Sequence, residues 1–335
     1  MSHSARSQDA GTDAASRSRS GASTDTISPR WRGQPGRLEV WYVTASDPVT
    51  HNGFWLHQEL VSPLSGGAFV HGIATAFPAD GAPVVARYGP DPLPPARPVG
   101  PLPAAGGVVL DPPALRGRAG PVEWDLRLDD PGMPALFTFP AWAWEREVLP
   151  AAQIVPIANA PCTGSIAVDG EPLELTGEAR GNLAHIYGHG NAERWGWLHA
   201  DLGGGDVLEV VAAVSHKSGL RRLRPLALVQ LRVEGEDWPP NPLLAAMSFH
   251  ASLGLPDWTM MGRWGGRILW LRVHQDAEAS VRVAYRDTDG SSATCVNSER
   301  SDAHIVLLRR SAGSWAMERN WRLASTAHSE IGTRP

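Results

Sequence analysis

The sequence predicts an all-β protein, two tandem antiparallel barrels with few short helices. Three observations carry that expectation. Strand-like runs follow one another across short, turn-rich gaps, while helical periodicity is almost absent. The hexapeptide Trp55-Leu56-His57-Gln58-Glu59-Leu60 returns as Trp197-Leu198-His199-Ala200-Asp201-Leu202, 142 positions on (197 − 55). Both copies run through a glycine pair, Gly66-Gly67 or Gly204-Gly205, into an apolar stretch, Ala68–Phe77 or Val207–Val214, that ends near Gly81 or Gly219. A repeat that holds its neighbourhood in register points to a duplicated unit. Finally, 335 residues are enough for two domains, each with its own core.

Along the chain, residues 1–36 are rich in Ser, Ala, Arg, Gly, Asp and Thr and lack an apolar leader core, so they read as a disordered tail. The first domain, 37–155, opens with strands at Leu38–Val43, Gly53–Val61, Ala68–Phe77 and Val84–Tyr88. Proline is so dense from Gly89 to Pro103 that neither a helix nor a central strand can persist there. Val122–Leu128, Ala135–Phe139 and Trp142–Leu149 read as closing strands, and Pro150–Pro161 as the boundary. The second domain, 156–325, opens with a hairpin over Gly164–Leu175 around an Asp169-Gly170 turn. Strands follow at Gly196–Leu202, Val207–Val214, Leu226–Val233, Arg267–His274, Ala279–Tyr285 and His304–Arg310. One helix is expected over Pro242–Leu253, and 326–335 reads as a tail.

Within the repeated motif the side-chain period of two separates chemically distinct faces. Trp195, Trp197, His199 and Asp201 share one face, and Trp55, His57 and Glu59 share the corresponding face of the first copy. Two tryptophans suit solvent poorly, and His with a carboxylate suits a dry core only when paired. The wall of an apolar cavity with a few polar groups accommodates both. A satisfied structural pair beneath the strands is the plainer alternative.

A net charge of −5 and a pI near 6.2 argue against nucleic-acid binding. The one dense basic cluster, Arg221-Arg222-Leu223-Arg224, reads as a solvated loop. Cys162 and Cys295 make neither a disulfide framework nor a zinc motif, which suits a reducing interior. No apolar run spans a bilayer, so a cytoplasmic protein is expected, with peripheral membrane contact left open. Gly203-Gly204-Gly205 is no phosphate loop, and no serine sits in a nucleophile elbow.

The order Gly164–Leu175, Gly177-Glu178-Ala179-Arg180-Gly181, His185, His189-Gly190-Asn191 and Trp195-Gly196-Trp197 resembles the lipocalin-like double-barrel family of carotenoid 1,2-hydratases (hydroxyneurosporene synthases). It is similar also to AttH-type proteins and, more distantly, to tocopherol cyclases and lipocalin-like Diels–Alderases. Where such relatives carry an Asp-His-Asn-Trp-Gly run, this chain has His185-Ile186-Tyr187-Gly188-His189, so catalytic roles do not transfer directly. The resemblance implies an elongated hydrophobic substrate. No cofactor is expected, and His185, His189 and His199 lie on a turn-rich stretch without metal-ligand spacing, so no metal is expected either. Protonation of a polyene or isoprenoid, followed by hydration or cyclisation, is the first expectation. A pericyclase folding a linear polyketide is the second, and a non-catalytic lipid carrier the third. The expected catalytic groups are Asp201, as an acid held neutral against Trp197, with His199, and Glu59 with His57 from the first copy. Expected substrate contacts are Trp195, Trp197, Trp55, His185, His189, Asn191 and Trp270, whose aromatic faces would stabilise a developing cation.

Overall fold

The computed structural model describes residues 26–94, 102–147 and 149–335. In chain order its strands are β1 (Arg37–Ser46), β2 (Gly53–Ser62), β3 (Phe69–Phe77), β4 (Val84–Pro92), β5 (Val109–Asp111), β6 (Ala114–Ala119), β7 (Val122–Leu128) and β8 (Leu136–Phe137). There follow helix α1 (Ala141–Glu145), β9 (Ala151–Val168), β10 (Glu171–Leu173) and β11 (Arg180–Gly188). The second half comprises β12 (Arg194–Gly203), β13 (Asp206–Val214), β14 (Leu226–Val233), β15 (Glu236–Trp238), α2 (Pro242–Ala245), β16 (Phe249–Ser252), β17 (Asp257–Trp264), β18 (Arg267–His274), β19 (Val281–Arg286), β20 (Ser292–Ser311) and β21 (Ser314–Thr333). The all-β expectation holds, with two curled antiparallel sheets.

The duplication is legible in the topology. The first sheet follows the path β4-β3-β2-β1-β11-β9-β7-β6-β5 and the second β15-β14-β13-β12-β21-β20-β18-β17-β16. Overlaid strand for strand, β1 corresponds to β12, β2 to β13, and the long β9 to β20. Even the accessory strands agree, since β8 pairs with β9 as β19 pairs with β20. The Trp-Leu-His repeat is therefore one strand out of phase: it lies on β2 and β12, and the topological partner of β12 is β1. Similar burial on both faces of the two strands produces similar letters.

Several expected boundaries shift. The division at 155/156 falls inside β9, which belongs to the first sheet, and the sheets change at residues 189–193. Proline there suggested a linker, but Pro156 falls where the β9–β11 pairing is irregular, a place where a missing N–H breaks no ladder bond. The expected tail 326–335 is mostly the end of β21. Of the strand expected over Trp142–Leu149, Val148 lies outside the described residues and the described remainder is not a strand; α1 begins after Pro140 and buries Ala143 and Trp144 while Trp142 faces solvent. The helix over Pro242–Leu253 is only α2, capped by the Asn241 side chain accepting from Leu244 N at 3.1 Å, followed by a single 3-10 turn and β16. Of the expected N-terminal tail, residues 1–25 lie outside the described residues, whereas 26–36 pack onto the first barrel. Trp31 is buried there, and the Arg30 and Trp31 amides donate to Glu39 at 2.6 and 3.0 Å. Of the Pro-rich stretch, residues 95–101 lie outside the described residues, and β4 continues into it as far as Pro92.

Three cores result, and β1 shows how. Trp41, Val43 and Ala45 point into the first barrel, while Leu38, Val40 and Tyr42 point the other way, into apolar packing shared with the second sheet. β12 alternates likewise: Leu198, Ala200 and Leu202 fill the second barrel, and Trp195 and Trp197 join the shared packing. The period-two faces read from sequence thus separate barrel interior from the space between the barrels.

Candidate active site

Between the sheets lies a cavity of about 320 Å³, within the range usual for small-molecule sites. Its wall is largely apolar, including Leu38, Val40, Ile186, Val211, Leu226 and Leu228. The polar groups gather at Tyr42, His57, Glu59, Trp195, Trp197, Tyr285 and Glu330. Strand register brings them together. Tyr42 and His57 are cross-strand neighbours on β1 and β2. Trp197 faces Glu330 across β12 and β21, and Trp195 faces Gly332. A Cβ at Gly332 would sit 2.0 Å from the Trp195 ring, so only glycine lets that indole lie against the strand.

Two hydrogen-bonded clusters occupy the polar end. In the first, the Trp195 indole N–H donates to Glu330 Oε1 at 2.6 Å and the Tyr42 hydroxyl to Oε2 at 3.2 Å, with the Asn297 amide beside the same hydroxyl. Burial, then the neighbouring Glu330, pushes the Tyr42 phenol well above its ordinary range, so it stays protonated. In the second cluster Glu59 Oε2 lies 3.3 Å from His57 Nε2 and 3.2 Å from His71 Nε2. Burial opposes ionisation of Glu59, but hydrogen bonds from the two histidines outweigh it and hold the carboxyl down at about 2. An ionised carboxylate only accepts, so His57 Nε2 carries a proton, and in the neutral ring Nδ1 has a free lone pair. Among the described residues Nδ1 has no hydrogen-bond partner, and the ring stacks on Tyr285 with centroids 5.1 Å apart.

Of the other expected site residues, Asp201 and His199 line one small crevice with Glu299 and His328, outside the cavity, and the rest are dispersed. Asp201 shares the Trp197 face of β12 but lies four residues further on, about 13 Å along an extended strand. That displacement takes it past the cavity into a separate crevice, where its Oδ1 accepts from Asn159 Nδ2 at 2.8 Å and from Gly203 N at 2.9 Å. His199 is also outside the cavity, with Nδ1 2.9 Å from Glu209 Oε2; the other Glu209 oxygen accepts from the Trp197 indole at 2.5 Å. His185 is buried in the first barrel, stacked on Trp41 and 2.9 Å from Glu39 Oε1. His189 bonds Arg37 and the Gly36 carbonyl near the surface. Asn191 does line the cavity, its amide donating to Asp287 at 2.7 Å. Trp55 packs behind the wall against Tyr42 and His57, and Trp270 lies on β18 beside His304, away from the cavity. Glu330, Tyr42 and Tyr285 are the lining residues that the sequence reading passed over.

Deeper in the interface His328 Nδ1 lies 2.8 Å from Glu299 Oε1, both fully buried. Burial drives the two in opposite directions, Glu299 well above the carboxylate range and His328 down to about 4, so they form a neutral hydrogen bond rather than an ion pair. Acid should therefore destabilise the fold. Between pH 6.5 and about 4 the unfolded chain binds a proton at His328 that the native chain refuses, so stability falls as pH falls, by roughly 2–3 kcal/mol. The depressed Glu59 adds to the loss from pH 4.5 down to about 2. Glu299, whose native carboxyl binds its proton more tightly, acts in the opposite sense and moderates the decline. Urea unfolding of wild type and His328→Gln across this range isolates the His328 contribution: the variant should lose less stability than wild type between pH 6.5 and about 4, and identical pH dependence of the two proteins would refute a neutral buried His328.

The uncharacterized protein Rv0493c of Mycobacterium tuberculosis (strain ATCC 25618 / H37Rv) is 49% identical over 306 residues, spanning 91% of this chain and 89% of the relative. Protein MT0513 of strain CDC 1551 / Oshkosh, also uncharacterized, matches to the same extent. Among solved structures, CghA with Sch210972 superposes with a TM-score of 0.54 at 15% identity, over 89% of this chain and 88% of that one. Kievitone hydratase from Nectria haematococca gives 0.54 at 12%, over 87% and 88%. At such identities the likeness is one of fold. The sequence profile described as tocopherol cyclase-like matches residues 138–333, more than half of the chain and all of β12 to β21, and the chain belongs to that family.

Proposed function

We propose that the chain is a cofactor-independent enzyme that protonates a hydrophobic polyene or isoprenoid in the cavity between the sheets and completes the reaction by hydration or cyclisation. The observation that carries this reading is the pairing of two polar clusters of different character at one end of an apolar cavity. Glu330, in the turnover form that carries a proton, delivers it to the alkene, and Tyr42 and Trp195 donate hydrogen bonds to the carboxylate that remains. His57, oriented by Glu59, takes a proton from the attacking water, or from the substrate hydroxyl that closes a ring. Between them Trp195, Trp197 and Tyr285 present aromatic surface to the cation, each worth roughly 0.5–2 kcal/mol depending on desolvation. Family membership and the hydratase named among the structures of similar fold support the reaction class. A C40 carotenoid would enter a cavity of this size only by one end, so the reading favours a terminal prenyl group as the reacting part.

The test is incubation of the full chain with lycopene, or with a prenylated hydroquinone, in deuterated water, followed by mass spectrometry. Hydration adds the mass of one water with a carbon-bound deuterium. Cyclisation by protonation gives an isomer carrying deuterium. A product isomerised without deuterium would mean that no proton is delivered, and would replace this reading by a pericyclic one.

A further inference from the structure

The basic cluster that reads from sequence as a solvated loop has a specific position. Cavity-lining residues that are themselves exposed mark the mouth: Pro150 and Ala151 on one side, Leu226 on the other, with Ser215 and His216 half-buried beside it. The loop joining β13 to β14 therefore forms one rim. Residues 217–224 of this loop are all exposed and carry Lys217, Arg221, Arg222 and Arg224 with no acidic residue among them. Arg221 is held by Glu193 at 3.4 Å and by the His216 carbonyl at 2.8 Å. Lys217, Arg222 and Arg224 have no ion pair among the described residues. In a chain of net charge −5 this is a local inversion of sign.

The same rim is apolar. Leu220, Leu223 (54% exposed) and Leu226 stand out from the loop. α2 packs on β14, lends Leu243 to the cavity wall and turns Leu244 outward, and Met247 just after it is 77% exposed. Cations interleaved with protruding leucine and methionine are the composition that settles at a lipid headgroup boundary, where apolar side chains enter the acyl region and cations meet anionic headgroups.

We propose that the 215–226 loop and the α2 turn form a docking surface for an anionic lipid bilayer, setting the cavity mouth against the membrane. Docking stands on the rim alone; that a hydrophobic substrate then passes from bilayer to cavity rests on the function proposed above. An acidic protein partner would use the cations but gives no role to leucines placed around the opening of an apolar cavity.

The experiment is flotation of the full chain with phosphatidylcholine vesicles containing or lacking phosphatidylglycerol. Binding is expected with phosphatidylglycerol and should weaken at least about tenfold without it or in high salt. The variant K217Q/R222Q/R224Q should lose about tenfold to a hundredfold, and L220S/L223S a comparable amount with the charges intact. Neither variant touches the cavity's polar end, and circular dichroism reports whether each is folded. Lys217 is the chain's single lysine, so vesicles containing phosphatidylglycerol should also protect it from acetylation. Failure of the wild type to float, or flotation of both variants at the wild-type level, overturns the proposal. A chain that floats yet never turns over an added polyene sinks the proposed reaction and leaves docking standing; one that turns over but does not float does the reverse.

Discussion

Substituting glutamine for His57 or for Glu59 is expected to lower turnover by about 10²–10⁴-fold with substrate affinity changed only a few-fold. The argument rests on His57 Nδ1, which lacks a partner on a ring whose other nitrogen is committed to an ionised carboxylate. Glutamine at 57 removes the base. At 59 it removes the charge that fixes the ring's tautomer, so Glu59 acts through His57, and the double variant should be no worse than the more damaging single one. Additive losses would show that Glu59 does not act through His57, and losses confined to KM would show that the pair only shapes the cavity. Asp201→Asn is the informative contrast. Asp201 bonds Asn159 and Gly203 in another crevice, and its replacement should leave turnover within about twofold. A large loss there would return the chemistry to the second crevice.

Asp201 also shows where sequence reasoning stops. Alternation correctly separated Trp195 and Trp197 from Leu198 and Ala200, because the pleat alone decides which face a side chain takes. It says nothing about where a cavity ends along that face, and four residues of strand are enough to leave it. Glu330 was lost for the opposite reason. Its polar neighbourhood near the C-terminus looks like a solvated tail, and only the β12–β21 pairing buries it opposite Trp197. The bond that completes the cluster joins Tyr42 to Glu330 across 288 positions of chain, a contact that no local pattern encodes. Strand existence follows from local composition; strand partnership, and with it the site, follows from the closure of two sheets against each other. The repeat illustrates the difference: doubling was visible in the letters, but its phase was set by topology, one strand away from the matching hexapeptide.

Trp197→Ala is expected to destabilise the protein by about 3–5 kcal/mol, more than other single changes at the cavity, because the indole does three things at once. It is almost fully buried, so truncation leaves a void that stiff strands on both sides cannot close. Its ring meets Tyr42 of the first sheet at 4.6 Å and His328 of the second at 4.5 Å between centroids, so the void opens between the sheets. Its N–H donates to Glu209, which would keep only His199 and Gln153 as partners. Trp197→Phe separates these effects. The phenyl ring retains most of the packing and loses the donor, and should cost about 1–3 kcal/mol. Urea unfolding of the three proteins reads the difference. If alanine costs no more than phenylalanine, the lost hydrogen bond accounts for most of the destabilisation and the packing between the sheets contributes little. If alanine alone is severe, the barrels hold each other through the wall of the cavity, and a ligand that fills the void should recover part of the stability in proportion to its occupancy. Recovery by an added prenyl compound would then connect the energetics of the interface to the proposed substrate class.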